Sequence, residues 1–164
     1  MPDAAPIALS KNFTLAELTF SQTAARRNIA NKPSAKQVDA LRALCVNILQ
    51  PVRDALGQPL TVTSGYRSPT LNSSVKGSKT SQHMHGQAAD IVCFAIPTKE
   101  LFKRILQLGL PFDQIIYEGG RTSIWVHVSF EADGGNRGEI LAASFPKSGG
   151  VKYRALTHAQ AMDL

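Results

Sequence analysis

At 164 residues, with 43% hydrophobic and 18% charged residues, the chain has the length and composition of one globular domain able to bury its own core. Its formal net charge of +6 suits anionic surroundings, yet there is no basic block and no interleaving of aromatics with Lys and Arg, which argues against dedicated nucleic-acid binding. No apolar run approaches the length of a transmembrane helix, and "MPDAAPIALSKNF" lacks the basic and apolar regions of a secretory signal, so synthesis in the cytoplasm is expected.

The stretch "NFTLAELTFSQTAARR" reads as one or two short helices. Ser34 and Gln37 then form a capping box after Pro33, and Val38, Leu41, Cys45, Ile48, Val52 and Leu56 recur at intervals of three and four. This predicts a long amphipathic helix, bent or restarted at Pro51 and ended by Gly57. "LTVTSGY" is rich in β-branched residues and reads as a strand, and residues 68–80, "SPTLNSSVKGSKT", read as a loop. "AADIVCF" reads as a buried strand. Pro97 and Thr98 open a helix carrying Leu101, Phe102, Ile105 and Leu108, closed by Gly109. Two strands follow, "FDQIIYE" and "IWVHVSF", joined through "GGRTS", whose glycines suit a tight hairpin. Beyond Phe130, "EILAASF" reads as an edge strand and the remainder as a tail. The two cysteines, Cys45 and Cys93, sit in apolar stretches without a paired-spacing motif and read as buried thiols. The order of elements predicts an α+β domain around a small, mainly antiparallel sheet with helices packed on one side.

Candidate ligands come from two places. "SQHMHGQAAD", residues 81–90, holds two of the chain's four histidines, a glycine and an aspartate. In "IWVHVSF", strand alternation puts Ile124, Val126, Val128 and Phe130 on the core face and Trp125, His127 and Ser129 on the other. A lone His127 there is ordinarily a surface histidine. Asp90 changes the balance, because it lies in a stretch otherwise fit for burial and a buried carboxylate needs a partner, an arginine or a cation. With His83 and His127 it makes a set of two histidines and one carboxylate, the pattern of a catalytic zinc with one open position. His85 is the rival of His83.

The order Ser81, His83, Gly86, Ala88 and Asp90, with a later Trp125-Val126-His127, resembles the zinc D-alanyl-D-alanine carboxypeptidase family. That family includes phage endopeptidases acting on peptidoglycan and shares its fold with the hedgehog amino-terminal domain. "VTSGYRSPTLN", carrying Arg67, and the hairpin "FDQIIYE…WVHVSF" are also similar to it, so the resemblance covers roughly residues 12 to 130. It implies one zinc ion held by His83, Asp90 and His127, with Arg67 holding a substrate carbonyl or carboxylate and steadying the oxyanion. Ser81 matches a position that hydrogen-bonds substrate, and Trp125 one that walls the cleft.

The chain departs from many relatives at one point. They carry an acidic residue three positions before the last histidine, where this chain has Ile124 on the core face. The hedgehog-like variant instead ends its penultimate strand in an acidic residue, and Glu118 stands there, making it the candidate general base. For Glu118 to share a face with His127, the hairpin must pair residues whose numbers sum to an odd value. Asp113 falls on the opposite face. The resemblance implies an endolysin-like zinc metallopeptidase of peptidoglycan stem peptides, acting as a monomer on the cell wall, in the periplasm or outside. The alternatives are a non-catalytic metal-holding cell-wall or protein-binding module of the same fold, and a basic nucleic-acid-binding domain. A single peptidase domain over 1–164 is expected, with 131–164 as an extension of unassigned role.

Overall fold

The computed structural model describes residues 4–119 and 122–164. Polar side chains placed at helix starts set the first elements. Thr14 and Glu17 form a capping box on α1 (Leu15–Thr19), and Ser21 caps α2 (Gln22–Arg27). Ser34 and Gln37 open α3 (Ala35–Leu44), which runs through a π-helical stretch, Cys45–Leu49, into α4 (Gln50–Leu56). The expected break at Pro51 is absorbed in this way. Proline lacks the N–H for the helical ladder and crowds the preceding turn, and a widened turn relieves both problems without ending the helix. Gly57 then closes α4 with φ of +60°, a left-handed conformation that favours glycine.

The six strands are β1 (Thr61–Ser64), β2 (Ala88–Val92), β3 (Gln114–Gly119), β4 (Ile124–Ser129), β5 (Glu139–Ser144) and β6 (Lys152–Ala155). They form one sheet in the order β1-β2-β4-β3-β5-β6, antiparallel throughout except where β5 runs parallel to β3. The fold is therefore α+β on a mixed, mainly antiparallel sheet. The β3–β4 hairpin pairs Glu118 with Trp125 and Gly119 with Ile124. The glycine turn expected in "GGRTS" falls partly on residues 120 and 121, which lie outside the described residues.

Three sequence readings need correction. "EILAASF" is an interior strand, because β6 pairs along its outer side. The presumed tail supplies that β6 and a capped helix, α7 (His158–Met162). Both β5 and β6 are short and only partly covered, so their apolar signal is thin. Within 68–80, Pro69–Ser74 is a helix, α5, whose first turn is capped by Ser68 and started by Pro69. Its polar composition hides it, since it buries only Leu71 and Asn72.

One face of the sheet carries the core. Ala89, Ile91, Ile115, Val126 and Val128 meet Leu41, Leu44 and Ile48 of the long helix, and Leu101, Phe102 and Ile105 of α6 (Thr98–Gln107). Ile124, expected in that core, is 44% exposed at the end of its strand. Cys45 and Cys93 are free and buried, and burial pushes the Cys45 thiol up to about 12. Among the described residues no helix is long and apolar enough to cross a membrane. Leu156 and Ala161 belong to the same core, so the C-terminal residues are built into the domain. Leu156→Ala is expected to cost about 2 kcal/mol of stability in a urea titration. Wild-type stability in that variant would show the segment to be dispensable.

Candidate metal centre and cleft

The opposite face of the sheet gathers the polar residues. Antiparallel pairing sets Asp90 of β2 directly across from His127 of β4. In that arrangement His127 Nδ1 lies 3.1 Å from Asp90 Oδ1. His83 reaches the same oxygen from above, with Nε2 3.4 Å away. Its residue is delivered by a 3₁₀ turn, Gln82–His85, that Ser81 caps and Gly86 ends in a left-handed conformation of φ +71°. A Cβ at Gly86 would press on the Gln37 carbonyl of α3, so only glycine lets the turn dock there. The two imidazoles meet edge to face with centroids 5.1 Å apart.

His83, Asp90 and His127 are 3%, 6% and 8% exposed. Burial alone raises the Asp90 carboxyl. The positive charge of His83 and hydrogen bonds from both histidines overcome that and hold it well below the usual carboxylate range. The His83 ring is also oriented, because Nδ1 lies 2.7 Å from the Gly65 carbonyl, which can only accept, so Nδ1 donates there and Nε2 is the atom turned toward Asp90. This is how metal-binding histidines are oriented.

The donor set fits a zinc ion. One ligand atom from each of the three residues lies within 4.8 Å of the others. Tetrahedral zinc at its usual bond lengths separates ligand atoms by about 3.3 Å. The 3.1 Å and 3.4 Å contacts on Asp90 Oδ1 already approach that value. A zinc ion held by two nitrogens and one carboxylate would keep a fourth position for water or substrate, as in catalytic rather than structural zinc sites. His85 is exposed and stands outside this cluster.

Around the cluster opens a cleft of about 760 Å³, lined among others by Arg67, Ser81, His83, Asp90, Glu118, Trp125 and His127. Arg67 is clamped on every side. Its NH2 lies 3.3 Å from Asp90 Oδ2, its Nε donates to Ser64 Oγ and its NH1 to Asn72 Oδ1. Glu118 shares the His127 face through the register with Trp125. Burial first, and then the Asp90 charge, push the Glu118 carboxyl up, while His127, Trp125 and Arg67 pull it down. The Trp125 indole Nε1 is buried without an acceptor in hydrogen-bond geometry. Ser81 lines the cleft, though its Oγ accepts from the His83 backbone N–H.

Several residues of the site carry no signal that the sequence reading used. Asn72 is buried and joins Arg67 to the Ser78 carbonyl, a role visible only once α5 is recognised from Ser68-Pro69. Asp113 is buried just before β3 and accepts from Gln82 of the 3₁₀ turn and from Arg137 of the C-terminal segment. Its hydrogen bonds with Arg137 outweigh burial and lower its carboxyl to about 2. The folded value lies below the ordinary 3.8, so this stabilisation is full above that pH and lost as pH falls toward about 2. Arg137→Ala is expected to move the acid-unfolding midpoint to higher pH, followed by circular dichroism. An unmoved midpoint would show that the Asp113 contacts hold nothing.

Comparison with known proteins agrees with this geometry. The chain is 41% identical over 81 residues to the zinc D-Ala-D-Ala carboxypeptidase of Streptomyces albus G, a stretch covering 49% of this chain and 31% of that protein. The chain thus aligns with under a third of that relative's length. The sequence model of peptidase M15 matches residues 11–129, which contain every residue of the cluster as well as Arg67 and Glu118. The chain belongs to the peptidase M15 family.

Proposed function

We propose that the chain is a zinc-dependent peptidase that hydrolyses amide bonds in peptidoglycan stem peptides, in the manner of an endolysin acting on the cell wall. The observation that carries this reading is the convergence of His83, Asp90 and His127 beside Glu118 and Arg67 in one open cleft. A non-catalytic metal-holding module has no need of a carboxylate poised next to the ligand set. The named substrate of the Streptomyces relative and the net charge of +6, which suits an anionic envelope, support the choice of substrate.

In this reading His83, Asp90 and His127 hold the ion. The chemistry that zinc supplies there is polarisation of the scissile carbonyl and acidification of a water toward neutrality. Glu118 accepts a proton from the attacking water and passes it to the leaving amine. Its partly buried setting raises its carboxyl, which brings its proton affinity closer to that of the groups it exchanges with. Arg67 supplies a permanent cation beside Asp90, where it steadies the developing oxyanion and keeps the carboxylate oriented. Trp125 lends the cleft a wall.

Mass spectrometry of soluble fragments released from purified peptidoglycan, with and without a chelator, tests the reading. Chelator-sensitive peptides with new termini are expected. Absence of release by zinc-loaded protein would overturn it in favour of the binding module. Glu118→Ala should keep its zinc and lose turnover by about 100-fold or more. His127→Ala should lose both, as measured by metal analysis alongside the release assay.

A further inference from the structure

The family match ends at residue 129, yet the cleft does not. Its lining continues onto Leu141, Phe145, Val151 and Tyr153 of the β5–β6 hairpin. Register explains why. β3 and β5 run parallel with Tyr117 beside Ala142, which sets Glu118 beside Ala143. Ala143 in turn pairs with Tyr153. Paired residues share a face, so Trp125, Glu118, Ala143 and Tyr153 make one row across the sheet on the side of the metal cluster. Alanine is small, and it leaves room for the Tyr153 ring to lean over it toward Glu118. Partial burial, and after it the Glu118 carboxylate, push the Tyr153 phenol up, as that proximity requires.

Phe145, Val151 and Tyr153 are 37%, 43% and 55% exposed, so three large apolar side chains stand uncovered at this end of the cleft. The cations lining the cleft lie elsewhere or are occupied. Arg67 and Lys76 belong to the segment around α5, and Arg137 is tied to Asp113 and Glu139. The cleft is therefore charged at its β1 end and apolar at its β6 end.

We infer that the β5–β6 hairpin forms the leaving-group subsite, with Phe145, Val151 and Tyr153 as an apolar platform for the side chain of the residue that hydrolysis releases. The inference rests on the peptidase reading, because the Glu118 proton goes to the leaving amine and so places that amine on the β3 side of the cluster. The released residue then extends over β5 and β6. It is recognised by its side chain, since the cations that line the cleft, Arg67, Lys76 and Arg137, stand elsewhere or are paired. The subsite thus favours an apolar side chain over a bare glycine in the residue released.

Binding by zinc-loaded Glu118→Gln protein tests this without turnover, since Trp125 is the one tryptophan of the chain and lines the cleft. The probes are two stem peptides purified from peptidoglycan and extended after the target bond by D-leucine or by glycine. Quenching of Trp125 is expected to report about tenfold tighter binding of the leucine peptide, the value of burying one such side chain in part. Adding Phe145→Ala and Tyr153→Ala should reduce that preference to about threefold or less, while Tyr153→Phe, which keeps the ring, and Arg154→Ala, on the other face of β6, retain it. Circular dichroism and zinc content verify that the variants are folded. Equal binding of the two peptides, no binding of either, or a preference that survives the double substitution overturns the inference. Preferential binding together with wild-type protein that cleaves neither peptide would instead sink the peptidase reading and leave the hairpin as a peptide-binding platform.

Discussion

A carboxylate placed in the interior of a sheet is the constraint on which this molecule turns. Asp90 occupies the middle of β2, where its neighbours Ala89 and Ile91 are fully buried. An unpaired charge there would be prohibitive, and the surrounding structure is arranged to meet it. His127 stands directly across the strand pair, His83 descends from the 3₁₀ turn, and Arg67 takes the second oxygen. Each of those partners is fixed by something further out. The Gly65 carbonyl orients His83, Gln37 of α3 donates to the Met84 carbonyl of the turn, and Asn72 and Ser64 hold Arg67. A metal ion bound at this point meets ligands whose orientation is already settled.

The same arrangement separates stability from chemistry by face. Alternation along β2, β3 and β4 sends one set of side chains into the helical layer and the other into the cleft. The core face can be packed for density, and the cleft face can hold groups that packing alone would reject. Glu118 illustrates the point. Its strand neighbour Tyr117 packs against the core, touching Phe102, while Glu118 itself faces the ligand cluster. The parallel β3–β5 pairing extends the cleft face beyond the family-matched residues and gives the C-terminal hairpin a place in the site.

Much of the fold was legible because strong local patterns coincide with the structure. The Ser34–Gln37 capping box, the three-and-four spacing of the long helix, the buried run around Asp90 and the alternation in "IWVHVSF" each express a physical rule acting over few residues. What escaped was weakly patterned. The π-helical detour at Pro51 depends on a widened turn that leaves no compositional trace. Helix α5 is almost all polar, and β5 and β6 lack the burial that would have printed an alternation on them. Ile124 has the right parity for the core, but it lies where the strand leaves its cover.

For the site, the residue types and their order were determined by the sequence alone: a buried aspartate, two histidines able to join it, an arginine, and an acidic residue ending a strand. Chemistry restricts which side chains can serve as ligand, base or permanent cation, so their presence already narrows the function. Tertiary structure decided between His83 and His85, because only one of them projects from the turn toward Asp90 while the other faces solvent. It also decided the face of Glu118, which turns on a one-residue choice of register, and the role of Asn72, Asp113 and the C-terminal hairpin. Those outcomes depend on distances between residues far apart in the chain, and such distances are set by how strands pair and turns dock.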